Sequence, residues 1–163
     1  MPGTEKTLKA REFLFICEEL ALAALGNERT PPHRKVMWTI LQLHYGEPAI
    51  HFELQPQPAR GIVEVGLHFE ASAEVNDAWA AHVAARAAEM LGELGPEWEL
   101  EAWTASWRRL HRAIPIERLT PSFAREVATA YAHLIEVLGP LVAAGLPLDA
   151  RPVRAKHVAL AAS

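Results

Sequence analysis

The sequence is poor in cysteine and has no long uninterrupted apolar run. Cys17 is the only cysteine among 163 residues, which excludes an intramolecular disulfide and a metal site built from several thiolates. The most apolar run, residues 13–25, is too short to span a bilayer and carries Glu18 and Glu19 at its middle. The N-terminal region mixes acidic and basic residues, unlike a signal peptide. We therefore expect a cytoplasmic chain that does not partner a membrane.

The sequence also lacks an excess of positive charge. Its 16 basic residues face 20 acidic ones, a formal charge of −4, so a nucleic-acid partner that is held by bulk charge is not expected. Half of the residues are apolar and 22% are charged, which excludes a disordered chain. The length suits one domain. We expect an α+β domain at residues 1–145 and a loosely ordered C-terminal segment at 146–163, where Pro147 and Pro152 interrupt any periodicity.

Known catalytic signatures are absent as well. There is no Gly-rich phosphate loop, no His-Glu-x-x-His, no Cys-x-x-Cys and no Gly-x-Ser-x-Gly. Cys17 lies in an apolar helical run, and buried thiols are unreactive. The sequence therefore identifies no catalytic residue.

Period-two alternation, capping residues and turn residues predict the element order αβββαββα. This pattern indicates an α+β fold in which helices cover one face of an antiparallel sheet of about five strands. Residues 106–114 also fit helical spacing, but the proline that follows favours a strand. The predicted helices cover residues 5–25, 72–94 and 120–138, the first capped by Thr4 and the last ended or kinked at Gly139-Pro140; the predicted strands cover residues 35–44, 50–55, 61–70, 98–103 and 106–114.

The first predicted helix is apolar around most of its circumference, more than the single stripe of an ordinary surface helix. We expect it to meet the sheet on one side and, on another, either a further helix of this chain or a second subunit. Among five tryptophans, Trp38 and Trp98 fall at inward strand positions. Four large apolar residues lie close to charged residues and suit either the core or an interface. These candidate interface residues are Phe15, Leu22, Trp103 and Trp107.

The tripeptide His-Phe-Glu occurs twice, at residues 51–53 and 68–70, in two strands joined by a short turn. A hairpin centred between Ala59 and Arg60 places His51 directly opposite His68, with β-carbons about 4.5–5.5 Å apart. In the same register Glu53 faces Gly66 and Gln55 faces Glu64. The candidate functional residues of this polar face are His51, Glu53, Glu64, His68 and Glu70.

Several roles fit two histidines with neighbouring carboxylates. They could bind a divalent metal, with His51 and His68 as ligands, because imidazole nitrogen and carboxylate oxygen are both good donors. They could also exchange protons near neutral pH. Alternatively, they form the solvated face of an antiparallel hairpin, or a subunit interface. Apart from this divalent metal, the sequence predicts no cofactor.

The sequence leaves two hypotheses for the function. The first is a small non-catalytic binding or assembly module that forms a homodimer and could bind a protein partner. Its element order is similar to that of small secretion-chaperone-like domains, which dimerise and hold partner segments. The second is a metal-dependent hydrolase, since the order is also similar to that of restriction-endonuclease-like folds. That resemblance implies that Glu53 and Glu64 hold magnesium. It also implies a lysine two residues after the second acid, where this chain has Gly66, so the chain would be a degenerate relative.

Overall fold

The computed structural model describes residues 3–27 and 30–153. These residues form one antiparallel sheet of six strands, in the order β1-β2-β3-β4-β6-β5, with four helices packed against its apolar face. The helices are α1 (Ala10–Leu25), α2 (Ala73–Ala84), α3 (Ala87–Leu94) and α4 (Pro121–Ala144). The strands are β1 (His33–Met37), β2 (Ile40–His44), β3 (Ile50–Gln57), β4 (Ile62–Phe69), β5 (Glu99–Ala102) and β6 (Arg108–Pro115).

The predicted α+β class is confirmed, but the sheet has six strands because the predicted strand 35–44 is a hairpin. Its turn is formed by Trp38 and Thr39, and Trp38 has a positive φ of 52°. Arg11 of α1 donates a hydrogen bond to the carbonyl of Trp38. The prediction that Trp38 points inward is wrong, since this side chain is 87% exposed, whereas Trp98 is buried as expected. Residues 106–114 do contribute a strand, β6.

The first helix begins later than predicted, at Ala10. Thr4 does not cap it; the Glu12 carboxylate instead accepts a hydrogen bond from the Lys9 N–H at 2.9 Å. The residues before it run towards the start of α4, where the Leu8 N–H donates to the carbonyl of Leu119 at 2.7 Å. A contact that is remote in sequence therefore competes with the helical preference of residues 5–9.

The other two predicted helices also differ in their bounds. The predicted helix 72–94 is divided into α2 and α3 at Ala85-Arg86. Of the two outcomes expected at Gly139-Pro140, an end or a kink, the end is wrong, because α4 continues through Pro140 to Ala144. It is long and apolar enough to cross a bilayer by length and composition alone, and a core helix has the same properties. Half of its most apolar window is buried within the chain.

The core lies between the helices and the apolar face of the sheet. Helix α4 packs along α1, where the rings of Phe13 and Phe123 stack 5.4 Å apart and the Cys17 thiol approaches the carbonyl of Ala124. On the sheet side, the buried hydroxyl of Tyr131 donates to the carbonyl of Phe52 at 2.8 Å. The second apolar side of α1 is thus covered by a helix of the same chain.

After α4, residues 146–153 contain no helix or strand, and the Arg151 side chain donates to the carbonyl of Leu146. The rest of the predicted C-terminal segment, residues 154–163, lies outside the described residues. The domain boundary at residue 145 therefore stays a prediction.

Candidate metal centre

The hairpin of β3 and β4 has the register that the sequence predicts. His51 pairs with His68, Glu53 with Gly66 and Gln55 with Glu64. The two imidazole rings lie with their centroids 5.5 Å apart. Both histidines thus project from the same face of the sheet, opposite to the helices.

That polar face extends across all six strands. Because the strands are in register, side chains from every strand line up in rows that cross the sheet. The row through the two histidines consists of His33, His44, His51, His68, Arg109 and Glu101. The next row consists of Lys35, Gln42, Glu53, Gly66, His111 and Glu99.

The centre of this face is buried, so the expectation of a solvated hairpin face is wrong. His51, Glu53, Glu64 and His68 are each at most 5% exposed. Trp103, just after β5, covers His68: its ring lies edge-on to the imidazole, 4.9 Å between centroids. The guanidinium of Arg109 lies 4.8 Å from the centre of the Trp103 ring. Burial of this kind is costly for polar groups unless they are paired.

Four side chains bring donor atoms to one point. His51 Nε2 lies 3.2 Å from Glu53 Oε2 and 3.5 Å from Glu70 Oε2. His68 Nδ1 lies 3.8 Å from Glu53 Oε2 and 3.0 Å from Glu70 Oε2. All four atoms lie within 4.8 Å of one another. We call these four residues the His2Glu2 cluster.

The spacing can be compared with that of known coordination shells. A tetrahedral zinc ion with bonds of about 2.0–2.1 Å places its ligand atoms about 3.3–3.4 Å apart. The nitrogen–oxygen distances in the His2Glu2 cluster, 3.0–3.8 Å, lie on either side of that value. These four nitrogen–oxygen pairs are therefore close to the separation that a bound zinc ion requires.

Neighbouring groups fix how the ligands are oriented. The carbonyl of Pro48 lies 2.9 Å from His51 Nδ1, and since a carbonyl only accepts, Nδ1 carries a proton. Nε2 is therefore the nitrogen that faces the cluster, where it hydrogen-bonds the Glu53 carboxylate at 3.2 Å, and a metal ion would replace the proton of that bond. Gln42 donates a hydrogen bond to the Glu53 carboxylate at 3.1 Å. On the other histidine, His68 Nε2 faces a carboxylate oxygen of Glu64 at 3.4 Å without a hydrogen bond. Such carboxylate–histidine contacts are common behind metal ligands.

The centre carries an excess of negative charge. The carboxylates of Glu53 and Glu70 face the two histidines, whereas those of Glu64 and Glu101 pair with Arg109. This excess of carboxylates favours a further positive charge, which a protonated His68 or a metal ion would supply.

This excess of negative charge also affects the pKa of His68. Burial alone would lower the pKa of His68, but the carboxylates of Glu64 and Glu70 outweigh it and raise that pKa to about 9. Burial would likewise raise the pKa of Glu53, but its hydrogen bond with His51 and the charge of His68 hold it below the usual value. The same field that favours a protonated His68 favours a metal cation.

Arg109 and His111 also lie on this face, and neither is among the residues that the sequence predicts for it. The His111 ring lies 3.0 Å from Glu101, and burial, together with the charge of Arg109, lowers the pKa of His111. Glu99, Glu101 and His111 form a second group of donor atoms, but Arg109 already neutralises Glu101 there. Alternation along residues 108–114 could have placed both residues on the polar face, had that segment been assigned as a strand without ambiguity.

The candidate functional residues divide as follows. The structure brings His51, Glu53, His68 and Glu70 together, whereas Glu64 lies behind His68 and binds Arg109. The hydrolase hypothesis needs Glu53 and Glu64 as paired acids, and of these two only Glu53 belongs to the cluster.

The four candidate interface residues do not form one surface. Phe15, 37% exposed, and the half-buried Leu22 lie on α1, on the helical side of the sheet. Trp103 and Trp107, with rings 5.7 Å apart, lie at the polar side. Self-association of the chain stays a prediction.

Comparisons with models of known protein families, with curated proteins and with solved structures find no match to this chain.

Proposed function

We propose that this chain is a non-catalytic metal-binding module that holds one divalent ion of the zinc class in its His2Glu2 cluster. The observation that carries the proposal is the convergence of two imidazole nitrogens and two carboxylate oxygens, all within 4.8 Å of one another, in the buried centre of a polar face. The excess negative charge around the cluster supports it independently.

The donor set indicates which ions would bind. Imidazole and carboxylate together suit Zn²⁺ and neighbouring transition metals, whereas Mg²⁺ and Ca²⁺ prefer shells made entirely of oxygen. The Pro48 carbonyl holds a proton on His51 Nδ1 and so leaves Nε2 as the nitrogen that can bind a metal. We therefore expect Zn²⁺ and Co²⁺ to bind far more tightly than Mg²⁺.

The number of protein ligands favours binding over hydrolysis. Catalytic zinc sites keep one position open for water or substrate, and structural sites fill all four. Here the protein supplies four donors, and the acid that the hydrolase hypothesis adds, Glu64, is engaged by Arg109. A side chain such as lysine does not fit at Gly66, where even a β-carbon would lie 2.8 Å from the Leu110 carbonyl.

The experiment is a zinc titration of the chelator-treated protein, followed by calorimetry and by thermal unfolding. At a free zinc concentration 100 times the Kd, binding adds about 2.7 kcal/mol of stability. For a chain of this size that raises the Tm by about 5–11 °C. The effect should disappear in His51→Ala and in His68→Ala, and Glu53→Gln should weaken it.

His44→Ala is the matched control. His44 lies next to His51 in the same row, but its Nδ1 accepts a hydrogen bond from the Gly46 N–H and it is outside the cluster. Its ring stacks on that of His33, so the two form a surface histidine pair. Zinc stabilisation that survives in His51→Ala and His68→Ala but is lost in His44→Ala would assign the binding to that surface pair and overturn the proposal.

A further inference from the structure

We infer that Asn76 is a positioning residue of the metal centre; this inference rests on the proposed function. Asn76 lies in α2, outside the His2Glu2 cluster, and is fully buried. Its carboxamide makes three hydrogen bonds, all to main-chain groups. It accepts from the Ala71 N–H at 2.8 Å and donates to the carbonyls of Ala71 at 3.0 Å and Ser106 at 2.9 Å.

The two bonds to Ala71 act on the next residue back, the ligand Glu70. Glu70 is one residue beyond the end of β4, where strand pairing with β6 has stopped. Its own N–H is held by the carbonyl of Ala49 at 2.8 Å. Its side chain is also the most accessible of the four ligands, at 15% exposure. The position of the Glu70 carboxylate therefore depends on a turn that Asn76 fixes through both main-chain groups of Ala71.

The third bond acts on the segment that covers the cluster. Ser106 belongs to the loop between β5 and β6, in which the Thr104 hydroxyl accepts from the N–H groups of Ser106 and Trp107. The Trp103 N–H donates to the carbonyl of Trp107 at 3.0 Å, which closes the loop. Because the Trp103 ring packs against His68, Asn76 links this cover to the same turn that carries Glu70.

The consequence is specific. Without the Asn76 carboxamide, the turn at Glu70 loses the bonds that hold it in place, and water should replace that carboxylate on the metal. Loss of an outer partner of this kind typically weakens metal affinity about 10–100-fold. We expect that range for Asn76→Ala.

The test measures zinc affinity and the visible spectrum of the Co²⁺-loaded protein, in Asn76→Ala and in Asn76→Asp. Tetrahedral Co²⁺ absorbs strongly in the visible range, and added water weakens those bands. Ser72→Ala is the matched control, because the Ser72 hydroxyl caps the same first turn of α2 by accepting from the Val75 N–H, whereas the bonds that Asn76 makes to Ala71 stay in place. The expected result is weaker zinc binding and a paler Co²⁺ spectrum in the Asn76 variants, with neither change in Ser72→Ala.

A double-mutant cycle with Glu70→Gln separates positioning from a general loss of stability. If Asn76 acts mainly through Glu70, Asn76→Ala weakens zinc binding clearly less in the Glu70→Gln background than in the wild type, and only the part that acts through the Trp103 cover remains. Additive effects, or a loss no larger than that of Ser72→Ala, would overturn the inference. If neither Asn76 variant folds, Asn76 serves the fold as a whole and the inference is also wrong. Absence of zinc binding in the wild-type chain would refute the proposed function itself, before any variant is compared.

Discussion

Replacing Gly66 by alanine should destabilise the chain, because the structure has no space for a β-carbon at the centre of the polar face. Such a carbon would lie 2.8 Å from the carbonyl oxygen of Leu110, 2.9 Å from the β-carbon of His111 and 3.2 Å from its α-carbon. Carbon atoms in favourable contact are about 3.5–4.0 Å apart. Main-chain atoms cannot rotate away, so β6 as a whole would have to move away from β4.

The size of the effect follows from the nature of the clash. Overpacking a well-packed interior typically costs about 1–3 kcal/mol. In a domain of this size each kcal/mol corresponds to about 2–4 °C in Tm, so we expect Gly66→Ala to lower the Tm by about 2–12 °C. Thermal and urea unfolding of the chelator-treated protein measure this directly.

Gly92→Ala is the control, with the opposite sign. Gly92 lies in α3, and a β-carbon there would meet no atom within 4 Å. Alanine is favoured over glycine in helices by about 0.5–1 kcal/mol, so the Tm should rise by about 1–4 °C. A Gly66→Ala protein that is as stable as the wild type, or more stable, would refute the description of close approach between β4 and β6.

Three further changes test other parts of the fold. Tyr131→Phe removes the buried hydrogen bond to the carbonyl of Phe52 and should cost about 1–3 kcal/mol in urea unfolding without changing zinc affinity; an unchanged midpoint would contradict this contact. Trp38→Gly should leave stability equal or raise it by about 1 kcal/mol, because glycine adopts a positive φ without strain, and a clear loss would contradict the turn. Burial raises the pKa of Cys17 to about 12, so a thiol reagent at pH 8 should label the protein only after denaturation; rapid labelling of the native chain would show that the thiol is accessible.

The hairpin at the centre of the site could be predicted from the sequence because two local constraints determine it. Alternation shows which residues of β3 and β4 face the core, and a register shift by one residue would bury the wrong side chains. The short turn near Arg60 then leaves one register that suits both strands. His51 therefore faces His68 as expected.

The division of residues 35–44 into two strands could not be predicted in this way. The turn at Trp38 contains none of the glycine, proline or asparagine residues that usually mark a reversal. Its bulky side chain adopts a positive φ, held in part by the remote Arg11. Residues 5–9, which the sequence predicts to be helical, are not helical for a similar reason. The N–H of Leu8 donates to the carbonyl of Leu119, more than a hundred positions away.

The burial of the polar face also depends on long-range contacts. Alternation showed that His68 lies on that face but not that Trp103 returns to cover it. Residues 106–114 fit both helical and strand spacing, so the sequence does not place Arg109 beside Glu64. Asn76 could not be identified in the same way, because its two partner residues, Ala71 and Ser106, lie outside its helix. Periodicity identifies which face of the sheet is polar, but the contacts between elements decide whether that face is exposed to solvent.

X-ray absorption at the zinc edge of the zinc-loaded chain tests the metal centre most directly, because it reports the number, type and distance of the ligand atoms. We predict one tightly held ion per chain with four nitrogen or oxygen ligands at about 2.0–2.1 Å, two of them imidazole. The imidazole contribution should be lost in the double variant His51→Ala/His68→Ala. A shell of six oxygen atoms, or an imidazole signal that is unchanged in that double variant, would contradict a metal centre at the His2Glu2 cluster.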